Sequence, residues 1–250
     1  MNVKITRDGL ILRGILKKAS DKKCPIAIMF HGFGGNIDDK EGSVFQTIST
    51  MLKEINISTI RFDFNGHGKS DGNFSDMNIF NEIEDAIAIL SYVRTLDFVS
   101  DIYLIGHSQG GVIAGMLAGY YNDIIEKLIL LAPAASLKTD AQVGKCMLAT
   151  YDTNHIPDYV DVDNGNHIVG GHYFRIAKTL PIYEVTKQFQ NQTLIIHGKN
   201  DEIINLDDVK KYKEELVNCK LNLYDDLNHG LYGKDQQKMY DDINHFLLSI

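Results

Sequence analysis

Leu104-Ile105-Gly106-His107-Ser108-Gln109-Gly110-Gly111 sets a hydroxyl side chain among glycines directly after an apolar run. Glycine loses more backbone freedom on folding than any other residue, so glycines clustered around one serine need a reason. One reason is a sharp strand-to-helix turn that lifts Ser108 clear of the backbone as a nucleophile. The other is a glycine-rich turn with an incidental serine. Gly-x-Ser-x-Gly alone does not separate the two. The rest of the chain does.

Upstream, Val3–Thr6 and Leu10–Leu16 read as strands joined at Asp8-Gly9. Pro25–Phe30 is apolar on successive residues, which suits a strand buried on both faces, and it ends in His31-Gly32-Phe33-Gly34-Gly35. Ser43–Ile55 carries Val44, Ile48, Met51, Leu52 and Ile55 at helical spacing. Ile57–Phe62 then runs into the glycine-studded stretch from Asp63 to Gly72. Asp76 or Asn78 can cap a helix whose apolar face is Ile79, Ile83, Ala86, Ile87, Leu90 and Val93. Strand Ile102–Ile105, the serine turn, a helix through Tyr120 and strand Lys127–Leu131 follow. Downstream come strand Thr193–His197, helix Leu206–Leu216, strand Lys220–Tyr224 and helix Gln236–Leu248. Strands alternating with helices predict an α/β fold with a mostly parallel central sheet and helices on both faces. Residues 134–183 show neither period and are too long for a plain loop, so one domain with an inserted cap is expected there.

Composition narrows the function classes. The 250 residues carry 25 Lys plus Arg against 33 Asp plus Glu, a net charge of −8, which argues against nucleic acid or an anionic membrane as partner. No apolar stretch approaches the length of a membrane helix and no signal peptide is evident, so cytoplasm is the default expectation. Cys24, Cys146 and Cys219 are too few and too scattered for a disulfide framework or a zinc site.

A serine nucleophile needs a base and a group to orient that base. In an open parallel sheet both should lie beyond the carboxyl ends of later strands. Strand Thr193–His197 runs into Asp201, and strand Lys220–Tyr224 is followed by Asp225, Asp226 and then His229. The order Ser108, Asp201, His229 is that of an α/β-hydrolase. Asp201 is favoured because it ends the right strand, with Asp225 or Asp226 as the alternative partner of His229.

With HGFGG, DFNGHGKSDG, GHSQG, HGKND and the late NHG in this order, the chain resembles α/β-hydrolases over essentially its whole length. Within them, LLAPAASLKTDA, HIPD and GGHYFRIAKTLPIYE resemble the cap of feruloyl (cinnamoyl) esterases from gut bacteria. The serine chemistry expects oxyanion donors in the backbone N–H groups of Gln109 and Phe33. The resemblance implies that the Asp63 loop buttresses the site. It also implies that Asp140 and Tyr173 bind the ring hydroxyl of a hydroxycinnamate, although Met147 stands where a polar amide would complete those contacts.

The reaction then expected is hydrolysis of a small-molecule hydroxycinnamate ester through an acyl-enzyme, with no cofactor or metal. His155, His167 and His172 lack the tight spacing of a metal site, and Val160 and Val162 fall where a calcium loop in Asp158–Gly165 would need ligands. A general short-chain carboxylesterase or lipase-like hydrolase is the second reading. A ligand-binding protein on a hydrolase scaffold is the third, and apolar surface on the cap leaves a homodimer open.

Overall fold

The computed structural model describes residues 1–37 and 40–249. Strands β1 (Asn2–Arg7), β2 (Leu10–Lys17) and β3 (Cys24–Phe30) precede helix α1 (Val44–Glu54) and strand β4 (Ser58–Phe62). Helix α2 (Ile79–Val93), strand β5 (Val99–His107), helix α3 (Gln109–Tyr120) and strand β6 (Ile125–Leu131) follow. Between residues 132 and 191 lie helix α4 (Leu137–Val143), the short strands β7 (Lys145–Cys146), β8 (Ala149–Thr150), β9 (Tyr159–Asp161) and β10 (Ile168–Gly170), then helices α5 (Gly171–Ala177) and α6 (Ile182–Thr186). Strand β11 (Gln192–Gly198), helix α7 (Leu206–Glu215), strand β12 (Cys219–Tyr224) and helix α8 (Gln236–Leu248) complete the chain.

Eight strands form one sheet in the order β1-β2-β4-β3-β5-β6-β11-β12. β1 and β2 pair antiparallel, as do β2 and β4, and every later neighbour pairs parallel. The reason is visible along β3. Ile26, Ile28 and Phe30 belong to the core beneath α2 and α3, whereas Ala27 and Met29 belong to the core beneath α1 and α8. A strand with two buried faces needs apolar side chains at successive positions.

The helices meet these faces through narrow stripes. Val44, Ile48 and Leu52 of α1 repeat every fourth residue and are all buried. Burying each such side chain is worth roughly 1.5–3 kcal/mol. Asn78, rather than Asp76, starts α2: its side chain accepts from the Phe80 and Asn81 N–H groups, and Asn81 returns a bond to the Asn78 N–H. Asp76 sits instead in a 3-10 turn. Such a cap is worth about 1 kcal/mol.

The observed strands run beyond the predicted apolar cores because backbone pairing continues past the last buried side chain. β5 extends from the expected Ile102–Ile105 to Val99–His107, with exposed Ser100 and Asp101 in its first turn toward the sheet. β6 starts at Ile125, and the buried Lys127 uses its Nζ to bond the carbonyl oxygens of Phe246, Leu247 and Ser249 at the end of α8. The expected cap region is built of short hairpins and short helices, which is why no single period ran through it.

Candidate active site

The apolar run of β5 ends at His107, and α3 begins at Gln109, leaving Ser108 alone in the turn. Its backbone sits at φ 54° and ψ −122°, a strained conformation for a residue with a Cβ. The turn is held by the Ser108 N–H, which donates to the Leu131 carbonyl at 2.9 Å. Glycines are required where the elements cross. A Cβ on Gly110 would lie 2.3 Å from the Phe30 carbonyl oxygen, and one on Gly106 would lie 2.1 Å from the carbonyl oxygen of Gly110. The glycines around the serine therefore serve close packing of α3 on β3 and β5.

Three loops converge on the Ser108 hydroxyl. The oxygen lies 3.0 Å from His229 Nε2, and His229 Nδ1 lies 2.9 Å from Asp201 Oδ2. The second Asp201 oxygen accepts the N–H groups of Ile203 and Ile204, each at 2.9 Å. Burial pushes the Asp201 carboxyl up, but its hydrogen bond and charge interaction with His229 and the two backbone donors outweigh that, holding it below the usual carboxylate range. Asp225 forms an exposed ion pair with Lys199, and Asp226 accepts the Lys234 N–H. Asp201 is thus the acid brought to His229.

Two further histidines, His31 buried and His107 half-buried, support this arrangement. His107, the last residue of β5, donates through Nε2 to the His229 carbonyl at 2.8 Å. Burial, then the neighbouring His229 charge, lowers its pKa to about 4. His31 accepts the Phe64 N–H at Nε2 (3.1 Å) and donates from Nδ1 to the Gly32 carbonyl (2.9 Å). Burial lowers its pKa to about 3, so it remains neutral. Asp63 accepts the N–H groups of Ile37 and Lys69, at 2.7 and 2.8 Å, tying the Phe33 loop to the glycine-studded loop.

Ser108, Gln109 and Phe33 share one pocket of about 190 Å³. Much of its lining is apolar, including Leu137, Met147, Phe174, Ile203 and Ile204 from the segment after β6 and the loop after β11. Asp140 and Tyr173 line it as well. Met147 is 48 % exposed and has a left-handed φ of 50°. The Tyr173 hydroxyl is not free: it donates to Gln109 Oε1 at 2.7 Å. Gln109 Nε2 in turn donates to Glu82 Oε2 at 2.7 Å, and all three residues are buried.

Sequence reasoning missed Glu82. The available signal was its position, since it falls among the apolar residues of the α2 face, three after Ile79 and four before Ala86. Burial pushes this carboxyl up to about 8.

The other sequence candidates stand apart from the serine and from one another. His155 bonds Asp152, and His172 bonds the Asp76 carbonyl. His167 bonds Asp163 while its ring packs on Phe33 and Phe74. Asp161 accepts the N–H groups of Asp163 and Gly165, which makes a local turn. Among the described residues, no group of three His, Cys, Asp or Glu side chains is set to hold a metal ion, and no helix is long and apolar enough to cross a membrane.

Residues 21–164 match the Hydrolase_4 family, described as serine aminopeptidase, S33. The chain belongs to this family of α/β-hydrolases. Among solved structures, this hydrolase is similar to Est1E from Butyrivibrio proteoclasticus with ferulic acid bound: TM-score 0.92 and 33% identity over 98% of both chains. A second Est1E structure aligns at TM-score 0.89 and 29% identity, over 99% of this chain and 97% of that one. The bifunctional esterase/perhydrolase DCH of Acinetobacter calcoaceticus is 24% identical over 98% of both chains. Human monoacylglycerol lipase ABHD6 is 22% identical over 90% of this hydrolase and 76% of its own length. The family, these relatives and the fold identify a hydrolase of the serine esterase kind that resembles feruloyl esterases.

Proposed function

We propose that the chain is a carboxylesterase for hydroxycinnamate esters and that Ser108, His229 and Asp201 are its triad. The observation that carries this reading is the continuous chain from Ser108 Oγ through His229 to Asp201, opening into a pocket that also contains Asp140 and Tyr173. The likeness to Est1E, whose structure holds ferulic acid, supports the acyl group.

The steps follow from the contacts. Ser108 attacks the ester carbonyl as His229 Nε2 takes its proton. The N–H groups of Gln109 and Phe33 stabilise the developing oxyanion, Gln109 from the first residue of α3. His229 returns the proton to the leaving alcohol, and water then hydrolyses the acyl-enzyme by the same route. Asp201 holds the imidazole with Nδ1 protonated and steadies it once charged. The segment between β6 and β11 acts as the cap, covering the acyl group, with Asp140 and Tyr173 toward the ring hydroxyl. The unit is read as one domain with that insertion.

Steady-state hydrolysis of ethyl ferulate beside 4-nitrophenyl butyrate tests the reading. Wild type favours ferulate in kcat/KM, and Ser108→Ala loses about 10⁶-fold in kcat on both esters. Serine-dependent activity on butyrate alone sinks the hydroxycinnamate assignment and leaves a general short-chain esterase. The apolar lining, with Met147 part of it, favours that second reading.

A further inference from the structure

We propose that His31 is a positioning residue that aims the second oxyanion donor. By bonding the Gly32 carbonyl, its ring fixes the Gly32–Phe33 peptide plane and so directs the Phe33 N–H away from itself, into the serine site. The oxyanion hole is then formed before an ester arrives. The inference rests on the esterase reading in taking the Phe33 N–H as an oxyanion donor, and on nothing about the acyl group.

The Gly32 carbonyl and the Phe33 N–H belong to one trans peptide unit, so they point to opposite sides of it. His31 Nδ1 donates to that carbonyl at 2.9 Å, and the Gly35 N–H donates to it at 3.0 Å. The second bond closes a turn over Gly32–Gly35 in which Gly34 takes a φ of 64°. With its carbonyl held from one side, the peptide leaves its N–H on the other. Among the described residues that N–H has no hydrogen-bond partner. Gly32 lies against the nucleophile: a Cβ there would be 2.8 Å from Ser108 Cβ and 3.4 Å from Ser108 Oγ.

The direction of the His31 bond is set from the end of β4. The Phe64 N–H donates to His31 Nε2 at 3.1 Å, so that nitrogen carries a lone pair and the ring proton sits on Nδ1. The opposite tautomer would set N–H against N–H at Phe64 and lone pair against lone pair at Gly32. Burial, then the neighbouring His67, holds the ring pKa down at about 3, so at neutral pH the ring has this one proton to give. The imidazole packs edge-on against Phe64 and tilted against His67, with ring centroids 4.9 and 5.0 Å away. Those contacts keep it from turning. His31 meets no substrate in this scheme and acts through the Gly32–Phe33 peptide.

The test is steady-state hydrolysis of 4-nitrophenyl butyrate by wild type, Ser108→Ala, His31→Asn, His31→Leu and His31→Phe, with inhibition by an alkyl trifluoromethyl ketone measured alongside. The serine oxygen bonds the ketone carbon, its proton passes to His229, and the carbonyl electron pair becomes an oxyanion. The ketone Ki therefore reads the oxyanion donors. Asn and Leu have nearly one shape, and both give up the ring and the Phe64 bond. Only the Asn amide N–H stands where Nδ1 stands and reaches the Gly32 carbonyl. His31→Leu is expected to lose about a hundredfold in kcat and a like factor in ketone affinity, the effect of one misdirected donor. KM should stay within about twofold, because the interaction is made in the transition state. His31→Asn should recover kcat to within about tenfold of wild type.

A folding defect from the lost ring acts on Asn and Leu alike and does not separate them. His31→Phe keeps a ring in the cavity without a nitrogen and should match His31→Leu. Leu or Phe variants within about threefold of wild type in kcat, an Asn variant no better than Leu, or ketone affinity unchanged in Leu overturns the proposal. Butyrate hydrolysis that survives Ser108→Ala, or none by wild type, breaks the serine reading and this inference with it. Failure to hydrolyse ethyl ferulate while 4-nitrophenyl butyrate is cleaved counts against the substrate assignment alone.

Discussion

The loops after β5, β11 and β12 and the segment between β6 and β11 face the same pocket, yet they are built differently. On the sheet side, the polar atoms that meet Ser108 are fully partnered. His229 bonds Ser108 and Asp201, Asp201 bonds two backbone N–H groups, and His107 holds the His229 carbonyl. The other side is largely apolar, and it carries Met147 and Leu148 with much of their surface exposed. A parallel sheet delivers side chains at fixed spacing from its carboxyl edge, so chemistry can depend on it. Short hairpins and helices tolerate changes of residue and shape, so selectivity can vary there without disturbing the Ser108–His229–Asp201 geometry. Where the two sides touch, through Tyr173 on Gln109 and His167 on Phe33, one can influence the other.

Three substitutions probe that division. The largest effect is expected at the sheet edge: Asp201→Asn keeps the shape but offers His229 an amide, and kcat on 4-nitrophenyl butyrate should fall about 10⁴-fold. A fall below about tenfold would show that another acid orients His229 and that the sheet side is less strict than its contacts imply.

The second sits where the two sides meet. Gly34 has a φ of 64°, and a Cβ there would lie 2.8 Å from His167 Nε2. Alanine in that conformation costs about 1–2 kcal/mol, and the His167 ring must also move. Gly34→Ala should lower kcat about ten- to a hundredfold through the neighbouring Phe33 N–H. Adding His167→Ala should restore part of that loss. No recovery in the double variant would mean that strain in the loop, and not the segment after β6, carries the effect.

The smallest effect concerns stability. The folded Glu82 carboxyl lies near 8 against an ordinary value of 4.5. A carboxyl raised on folding is neutral in both states below about 4.5, and it progressively costs the fold stability as pH rises toward 8, because the unfolded chain ionises first. Glu82→Gln removes that cost. Its Tm relative to wild type should therefore be higher at pH 8 than at pH 5, by several degrees at about 2–4 °C per kcal/mol for a chain of this size. A difference independent of pH would mean that Glu82 ionises as easily in the fold as outside it.

Legibility tracked element length and spacing. Gln236–Leu248 is a helix with the expected ends. β3 and β12 differ from expectation by one residue at one end and β11 by one at each end: β3 and β11 are apolar runs buried on both faces, and the edge strand β12 is bounded by turn residues. Asp201 and His229 were readable because each follows a strand whose register in a parallel sheet sets where its carboxyl end falls. The region after β6 was not readable in detail. Its helices of five to seven residues and strands of two or three are too short to show a period, and they persist by packing against α2, α3 and the Phe33 loop.

The order of apolar runs, glycines and titratable residues by itself determined the fold class, because buried parallel strands and strand-to-helix turns leave local chemical signatures. It also determined which serine, histidine and aspartate could meet, since chain order and strand ends limit the choice. Tertiary structure alone decided how the Gln109 side chain is spent, that Glu82 lies buried on α2, and that the Tyr173 hydroxyl donates to Gln109. Those outcomes depend on the direction of hydrogen bonds between residues 27 and 64 positions apart, a relation that no local spacing records.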